Sequence, residues 1–502
     1  MRLKAAFVPR LRLRVRAAAI VFAAVTLSCF YFFTGGGWNQ ASRFDMVRAV
    51  VEQGTFRIDA YHQNTGDKSL YQGHYYSDKA PGTSLLAVPF VALSKPLFRR
   101  FVEDSRQVLF YQARTAVLVC ATIPTAVAAL AVFFISLRLG STRSAAGVGA
   151  IVYALGTPAW IYGTYLWGNQ LAAACLMIAL LKALALGQIR VAEDRIAGRS
   201  FLVGFIGGWA VVTEFMAAFA LAVIGAAALE RAHAGGGWTR VRRVVAFVIA
   251  GGIPPLLVLL GYNTLAFGTP LHIGYAYEVG FEGLREGFLG MTYPKADVVF
   301  ALLFGLEKGL LFLSPVLFLA PLGFAWMNGD RQSRTAALAS AGVFLCYLFE
   351  ISSYHYWRGG WSYGPRYLGA PLPFLCLALP PLWDRRGFFR TALVILGMAS
   401  IFLTLVAVAV QPMTPEGIAW PLRDLLWPAF AKGAMSTHTS RFFDDQLTPS
   451  FNLGEALGLH GLESLVPLLS IWTALGALWW LQVQPGLRCA NRRDGAAVGS
   501  SR

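Results

Sequence analysis

Eleven apolar runs divide the chain, at 17–34, 110–137, 144–163, 168–187, 200–230, 244–266, 308–327, 335–351, 366–383, 389–410 and 464–482. A helix needs about 20 apolar residues to cross the hydrocarbon of a bilayer. The pattern therefore predicts an all-α polytopic membrane protein. The connections between runs are of two kinds. Long ones mix acids, bases and aromatics. Short ones are basic: Arg2–Arg16, Arg138/Arg143, Arg190/Arg195/Arg199, Arg231/Arg240/Arg242/Arg243, Arg331/Arg334, Arg385/Arg386/Arg390 and Arg488/Arg492/Arg493. Positive charge is retained on the cytoplasmic side, which puts all the basic clusters there.

That rule decides two segments. Residues 82–98 are apolar, but a crossing there would turn every basic cluster up to Arg199 outward. They are expected to form a helix lying on the outer surface. The run 200–230 is basic at both ends, so it is expected to fold back near Thr213-Glu214, at about 15 residues per arm, short for full spans. The result is about twelve membrane segments with both termini inside. The outer face carries loops 35–109, 267–307, 352–365 and 411–463, with surface helices. Residues 1–482 make one membrane domain, and 483–502 form a basic cytoplasmic tail whose end, from Asn491, is expected to be disordered.

Composition sharpens this picture. The 502 residues are 56% hydrophobic and only 14% charged, with mean hydropathy +0.54, too greasy for a soluble surface. The formal charge of +17 is spread along the runs as orientation signals rather than gathered in a patch, which argues against nucleic acid as a partner. Cys29, Cys120, Cys175, Cys346, Cys376 and Cys489 show no paired spacing and read as small core residues. Leu27-Ser28-Cys29 resembles a lipoprotein cleavage site, but Phe30-Tyr31-Phe32-Phe33 is expected to continue a retained first span.

Candidate chemistry gathers in the first outer loop, WNQASRFDMVRAVVEQGTFRIDAYHQNTGDKSLYQGHYYSDKAPGT, Trp38 to Thr83. Ser42-Arg43-Phe44-Asp45 has N-cap spacing and opens an expected helix from Phe44 to Gln53, stopped by Gly54. Asp45 then has two readings, a capping carboxylate or a general base beneath the bundle. Asp59 and Asp67 follow. His74-Tyr75-Tyr76-Ser77-Asp78-Lys79-Ala80-Pro81-Gly82 places a compact cation among aromatics at the mouth of an apolar segment. Such a cation suits a phosphate, or anchors the interface.

A second loop reads YHYWRGGWSYGPRY, Tyr354 to Tyr367. Its glycines fix sharp turns, and Trp357, Trp361 and Tyr363 offer stacking surfaces. Arg358 and Arg366 face outward against the charge bias of the chain, either as anion ligands or as snorkelling anchors. Glu214 is a carboxylate at membrane depth, a functional candidate by default. Tyr262-Asn263 and Phe267-Gly268-Thr269-Pro270 end a span, either as a turn or as a ligand contact. His74, His272 and His355 leave a divalent metal open, without a supporting spacing. No Walker, dinucleotide or GxSxG element is present.

SRFD…ID…GD…GHYYSDKAPG after the first span, with the later GGWSYGPRYL, resembles bacterial members of the GT-C glycosyltransferase superfamily. These are relatives of protein O-mannosyltransferases and of lipid A aminoarabinose transferases. The resemblance implies an inverting transfer of a sugar from a polyprenyl-phosphate donor to an extracytoplasmic acceptor at the inner membrane. It further implies a first-loop acid that activates the acceptor and a lysine, here Lys79, that binds the donor phosphate. Many relatives carry an Asp-Glu pair before the Arg-aromatic step, where this chain has Gln40-Ala41. The expected base is accordingly Asp45 or Asp59. Lys79, Arg366 and Arg358 are expected on the donor phosphate. Arg43, Asp67, His74, Tyr75, Tyr76, Asp78, Glu214, Trp361 and Tyr363 are expected on substrate. A transporter or flippase of a lipid-linked saccharide is the rival reading, since it too would need an aromatic, cationic cavity.

Overall fold

The computed structural model describes residues 2–189, 192–385, 387–443 and 446–483. Of the predicted basic segments, Arg190, Arg386 and the tail from 484 onward lie outside the described residues.

The protein is a multi-pass membrane protein built from helices. Eight described helices are long and apolar enough to cross a membrane: Leu13–Phe30, Ser105–Arg138, Asn169–Gly187, Glu193–Thr213, Ala217–Phe267, Arg331–Ser352, Phe388–Val410 and Gly461–Gln482. The longest of these bends at Gly236-Gly237, where Gly237 has φ 62°, so it runs as two successive helices. Three expected spans are instead broken. The run 144–163 divides into Arg143–Leu155 and Ala159–Tyr162 around Pro158; the run 308–327 divides at Ser314-Pro315; the run 366–383 divides into Leu372–Cys376 and Leu379–Asp384. Proline lacks the amide and clashes with the preceding turn, which a hydropathy count does not register.

The predicted hairpin is present. Helix Glu193–Thr213 ends at Glu214, and Ala217–Phe267 begins three residues later. Its first arm has 21 residues, a full span rather than a short one. The helix continues into the Arg195/Arg199 stretch because long basic side chains can reach water from a helix end. The first span also departs from expectation. It stops at Phe30, and Phe32-Phe33 pairs antiparallel with Phe451-Asn452.

The main core packs many alanines against large aromatics. Ala128, Ala129, Ala131, Ala172 and Ala173 are fully or nearly fully buried, as are Tyr153, Trp160, Tyr162 and Trp167. Small residues let apolar helices approach closely where there is no water to drive them together.

Residues 35–109 form a compact cap. Helix Trp38–Gln53 packs on helix Gly82–Phe98, with Phe44 and Val47 buried against Ala87 and Val91. The opposite face of Gly82–Phe98 shows Phe90, Leu93 and Leu97. Between the two helices, strands Lys68–Tyr71 and His74–Ser77 form a hairpin. Both turn residues, Gln72 (φ 51°) and Gly73 (φ 79°), have positive φ, the backbone of a two-residue turn whose twist matches the strands.

Candidate active site

The cap, the loops 268–295 and 353–367, the helix ends at Trp167, Asn169 and Glu214, and Met413, Glu416, His438 and Thr439 line a cavity of about 1080 Å³. Helix Trp38–Gln53 supplies one wall. It begins at Gly37, whose amide donates to Gln40 Oε1 at 2.9 Å, so Ser42 is an interior residue rather than the predicted cap. Ser42 Oγ instead lies 2.8 Å from Ser77 Oγ and 3.4 Å from Asp78 Oδ1. The predicted stop at Gly54 is present, with φ 67°.

Lys79 sits at the centre of the charged floor. Its ammonium lies 2.8 Å from Asp67 Oδ2 and 2.7 Å from Asp78 Oδ2. Burial disfavours the Lys79 charge, yet the two carboxylates outweigh it and raise its pKa, so it stays an ammonium. Burial pushes the Asp78 carboxyl up despite the adjacent lysine. Both acids line the cavity.

Arg43 makes the second ion pair, with Glu214 at 2.9 Å, and also donates to Ala80 O at 3.2 Å and Asn39 Oδ1 at 3.1 Å. Gly82 lies against Thr213: a Cβ at Gly82 would come within 2.8 Å of the Thr213 amide. The absence of a side chain there lets the Lys79-Ala80-Pro81 turn rest directly on the membrane hairpin and brings Glu214 to Arg43.

Arg366 lines the opposite wall. Its guanidinium lies over Trp167 (5.3 Å) and Tyr367 (4.9 Å) and donates to Tyr367 Oη at 3.1 Å. No carboxylate pairs with it among the described residues. Asn169 Nδ2 donates to the Arg366 carbonyl and fixes the backbone. Arg358, half exposed, lies over Trp357 and 3.5 Å from Glu307. The glycines of this loop, Gly359, Gly360 and Gly364, all have positive φ. Buried Lys308 pins the loop from behind by donating to Gly360 O at 2.6 Å and Ser362 Oγ at 3.0 Å.

Of the sequence candidates, Arg43, Asp67, Asp78, Lys79, Glu214, Arg358, Trp361 and Arg366 share this cavity. Trp357 and His355, named for stacking and for a metal, line it too; the rest lie off it. Asp45 is fully buried and accepts from Asn64 Nδ2 at 3.2 Å. Asp59 is exposed on the hairpin side, accepting from the Tyr75 amide at 2.7 Å and contacting His74 Nδ1 at 2.8 Å. Tyr75 stacks on His62, Tyr76 packs on Phe267, and Tyr363 is buried in the main core. Tyr262 is buried too, and Asn263 Nδ2 bonds Pro270 O at 3.0 Å, a turn rather than a cavity contact.

His74, His272 and His355 have separate partners, Asp59, Tyr277 and Glu286. Among the described residues no three side chains are grouped to hold a metal.

The cavity also takes residues that the sequence reading did not single out: Trp38, Asn64, Trp167, Asn169, Tyr275, Tyr354 and Tyr367. Burial raises the Tyr275 and Tyr354 phenols, which keeps them neutral donors. These residues come from four distant segments. Trp38 and Asn64 lie inside the first-loop stretch and Tyr354 and Tyr367 inside the second, though none stood out individually; Trp167, Asn169 and Tyr275 lie in neither.

ArnT from Cupriavidus metallidurans bound to undecaprenyl phosphate superposes with a TM-score of 0.50 at 15% identity, covering 85% of this chain and 69% of that one. The fold is GT-C-like. The apo state of the same ArnT gives 0.48 at 14% identity, covering 95% and 76% of the two chains. Archaeal oligosaccharyltransferase AglB from Archaeoglobus fulgidus, in complex with an inhibitory peptide and a dolichol-phosphate, gives 0.42 at 11%, covering 87% and 61%. No protein-family model and no curated protein matches the sequence. At these identities the likeness to the GT-C structures is one of fold.

Proposed function

We propose that this protein is an integral-membrane glycosyltransferase that moves a sugar from a polyprenyl-phosphate donor to an acceptor hydroxyl, with inversion, outside the cytoplasmic membrane. The observation that carries the reading is the meeting of Lys79, Arg366 and the cavity carboxylates in one aromatic cavity of a GT-C-like fold. A solved protein of that fold, ArnT, holds undecaprenyl phosphate.

Arg366 receives the donor phosphate, since its guanidinium is held by π-faces and a phenol rather than by an acid. Lys79 and Arg358 complete the anion site. Asp67 is the base: it lines the cavity, whereas Asp45 and Asp59 do not. Its carboxylate takes the proton of the acceptor hydroxyl, and the oxygen forms the new bond to the anomeric carbon. The anomeric carbon–phosphate oxygen bond breaks, and polyprenyl phosphate leaves with the electron pair into the field of Arg366 and Lys79. Trp38 and Trp361, both more than half or about half exposed at the cavity, offer faces for sugar rings. Asp45, through Asn64, positions the cavity wall.

The test is to incubate the purified protein with a panel of polyprenyl-phosphate sugars and measure released polyprenyl phosphate. Release with at least one sugar, abolished in Lys79→Ala, is the expected result. A panel left intact in the presence of cell-envelope acceptors would count against the reading.

A further inference from the structure

Helices Asn169–Gly187 and Glu193–Thr213 each have one end at the cavity, through Asn169 and Glu214. Their other ends meet a cluster of arginines. Arg138, the last residue of its span, donates to Leu184 O at 3.3 Å. Arg199 donates to Ala185 O and Gln188 Oε1, both at 2.8 Å. Arg240 donates to Gln188 O at 2.9 Å. Arg231 packs so closely on Gly187 that a Cβ there would lie 2.2 Å from its Nη2. Four guanidiniums, from four helical segments once the bend at Gly236-Gly237 is counted, thus converge on residues 184–188.

Helix capping accounts for only part of this. The C-terminal end of a helix carries about half a negative charge. The carboxylates nearby are already engaged: Glu193 with Arg243 and, at 3.7 Å, Arg240; Glu230 with Arg331 and Thr335; Asp330 with the amides of its own helix start. Arg138, Arg199 and Arg231 have no direct ion pair among the described residues; Arg138 feels the charge of both others, and Arg231 acts only at longer range on Glu230 and Asp330. Arg231 is only 7% exposed, and the buried Nε atoms of Arg231 and Arg138 have no acceptor among the described residues. Concentrated positive charge with no acid in direct contact favours an anion at the guanidinium ends.

We infer that Arg138, Arg199 and Arg231 form a phosphate-binding site at the end of the bundle opposite the cavity. The ligand is a phosphate group, either the headgroup of an anionic phospholipid or free phosphate. A basic pocket between helix ends suits the former, and the planar guanidinium matches phosphate oxygens in either case.

Delipidated protein is mixed with equal amounts of phosphatidylglycerol and phosphatidylcholine of matched chains, and retained lipid is counted by native mass spectrometry. Radiolabelled inorganic phosphate is measured separately by equilibrium dialysis. Wild-type protein is expected to prefer phosphatidylglycerol by about tenfold or more, the effect of one charge-assisted contact. Arg199→Gln and Arg231→Gln are each expected to lower that preference, while Arg242→Gln, an exposed cation just beyond the Gly236-Gly237 bend, leaves it unchanged. Phosphate that binds alone and displaces the lipid identifies free phosphate as the source. The wild-type comparison needs no variant to fold. Equal retention of both lipids with no phosphate bound would overturn the site, as would a loss in Arg242→Gln equal to that in Arg231→Gln.

Discussion

The two ends of the same helices treat positive charge in opposite ways. At the cavity, Arg43 faces Glu214, Lys79 is shared by Asp67 and Asp78, and Arg358 leans on Glu307. At the far end, Arg138 and Arg199 bond carbonyls and an amide oxygen, and neither they nor Arg231 has an acid in direct contact among the described residues; Glu230 and Asp330 feel Arg231 only at longer range. Mixed charge keeps the cavity near electrical balance, and a carboxylate stands beside each of these three cations, where it can handle protons; Arg366, held by aromatic faces, is the cation left open to an anion. Unbalanced charge holds an anion in place. The lesson is that a cation alone does not mark a reactive site; its acidic neighbour does.

The sharpest break of that comparison is at Asp67. If the acid beside Lys79 is the base, Asp67→Asn lowers turnover by roughly 10²–10⁴-fold with little change in donor affinity. Asp59→Asn, on the exposed hairpin side, leaves turnover nearly normal. Asp45→Asn is expected to act on stability and on the Asn64 wall, not on the proton transfer. A turnover collapse in Asp59→Asn with normal Asp67→Asn would move the base out of the cavity.

Next in size is Arg366, the cavity cation without an acid. Arg366→Ala is expected to weaken donor binding by about 1.5–3 kcal/mol, the value of a charge-assisted hydrogen bond. Binding isotherms with a polyprenyl-phosphate sugar check this. Wild-type affinity would leave Arg366 a π-stacked anchor only.

The smallest effect concerns Glu278, which adjoins the charged floor outside the cavity lining. One oxygen accepts from the Phe281 amide at 2.9 Å, and the other is buried without an acceptor or donor partner among the described residues. Burial pushes its carboxyl from an ordinary 4.5 up to about 7. The folded chain therefore holds this proton more tightly than the unfolded chain. The associated stability is present below about pH 4.5 and is lost as pH rises through about 7. Glu278→Gln should raise Tm by a few degrees near pH 8 and by almost nothing near pH 4. An equal shift at both values would show that the carboxyl does not titrate in this range.

How far the sequence could be read depended on whether the signal was local. The turn at Thr213-Glu214 followed from basic residues at both ends of one run, and the stop at Gly54 from one glycine. Lys79, Arg366 and Glu214 stood out as charges in improbable places, and they do share the cavity. The helix start was misplaced because the side chain of Gln40 caps Gly37, a pattern hidden behind the more obvious Ser42. That shift decides Asp45. At about 100° per residue, Asp45 lies about 200° around the helix from Arg43. Arg43 faces the cavity, so Asp45 points away from it. Trp167, Asn169 and Tyr275 carried no local signal at all, because only the packing of distant helices brings them to Lys79.

The account stands or falls on one bond. Protein reconstituted in liposomes is given a polyprenyl-phosphate sugar labelled with ¹³C at the anomeric carbon, together with the acceptor that supports release. NMR of the product then follows that carbon. The account predicts loss of carbon–phosphorus coupling, one polyprenyl phosphate released per sugar transferred, and inverted configuration in the product. Labelled donor that reaches the other leaflet with its carbon–oxygen–phosphorus linkage intact would contradict it and mark the protein as a carrier.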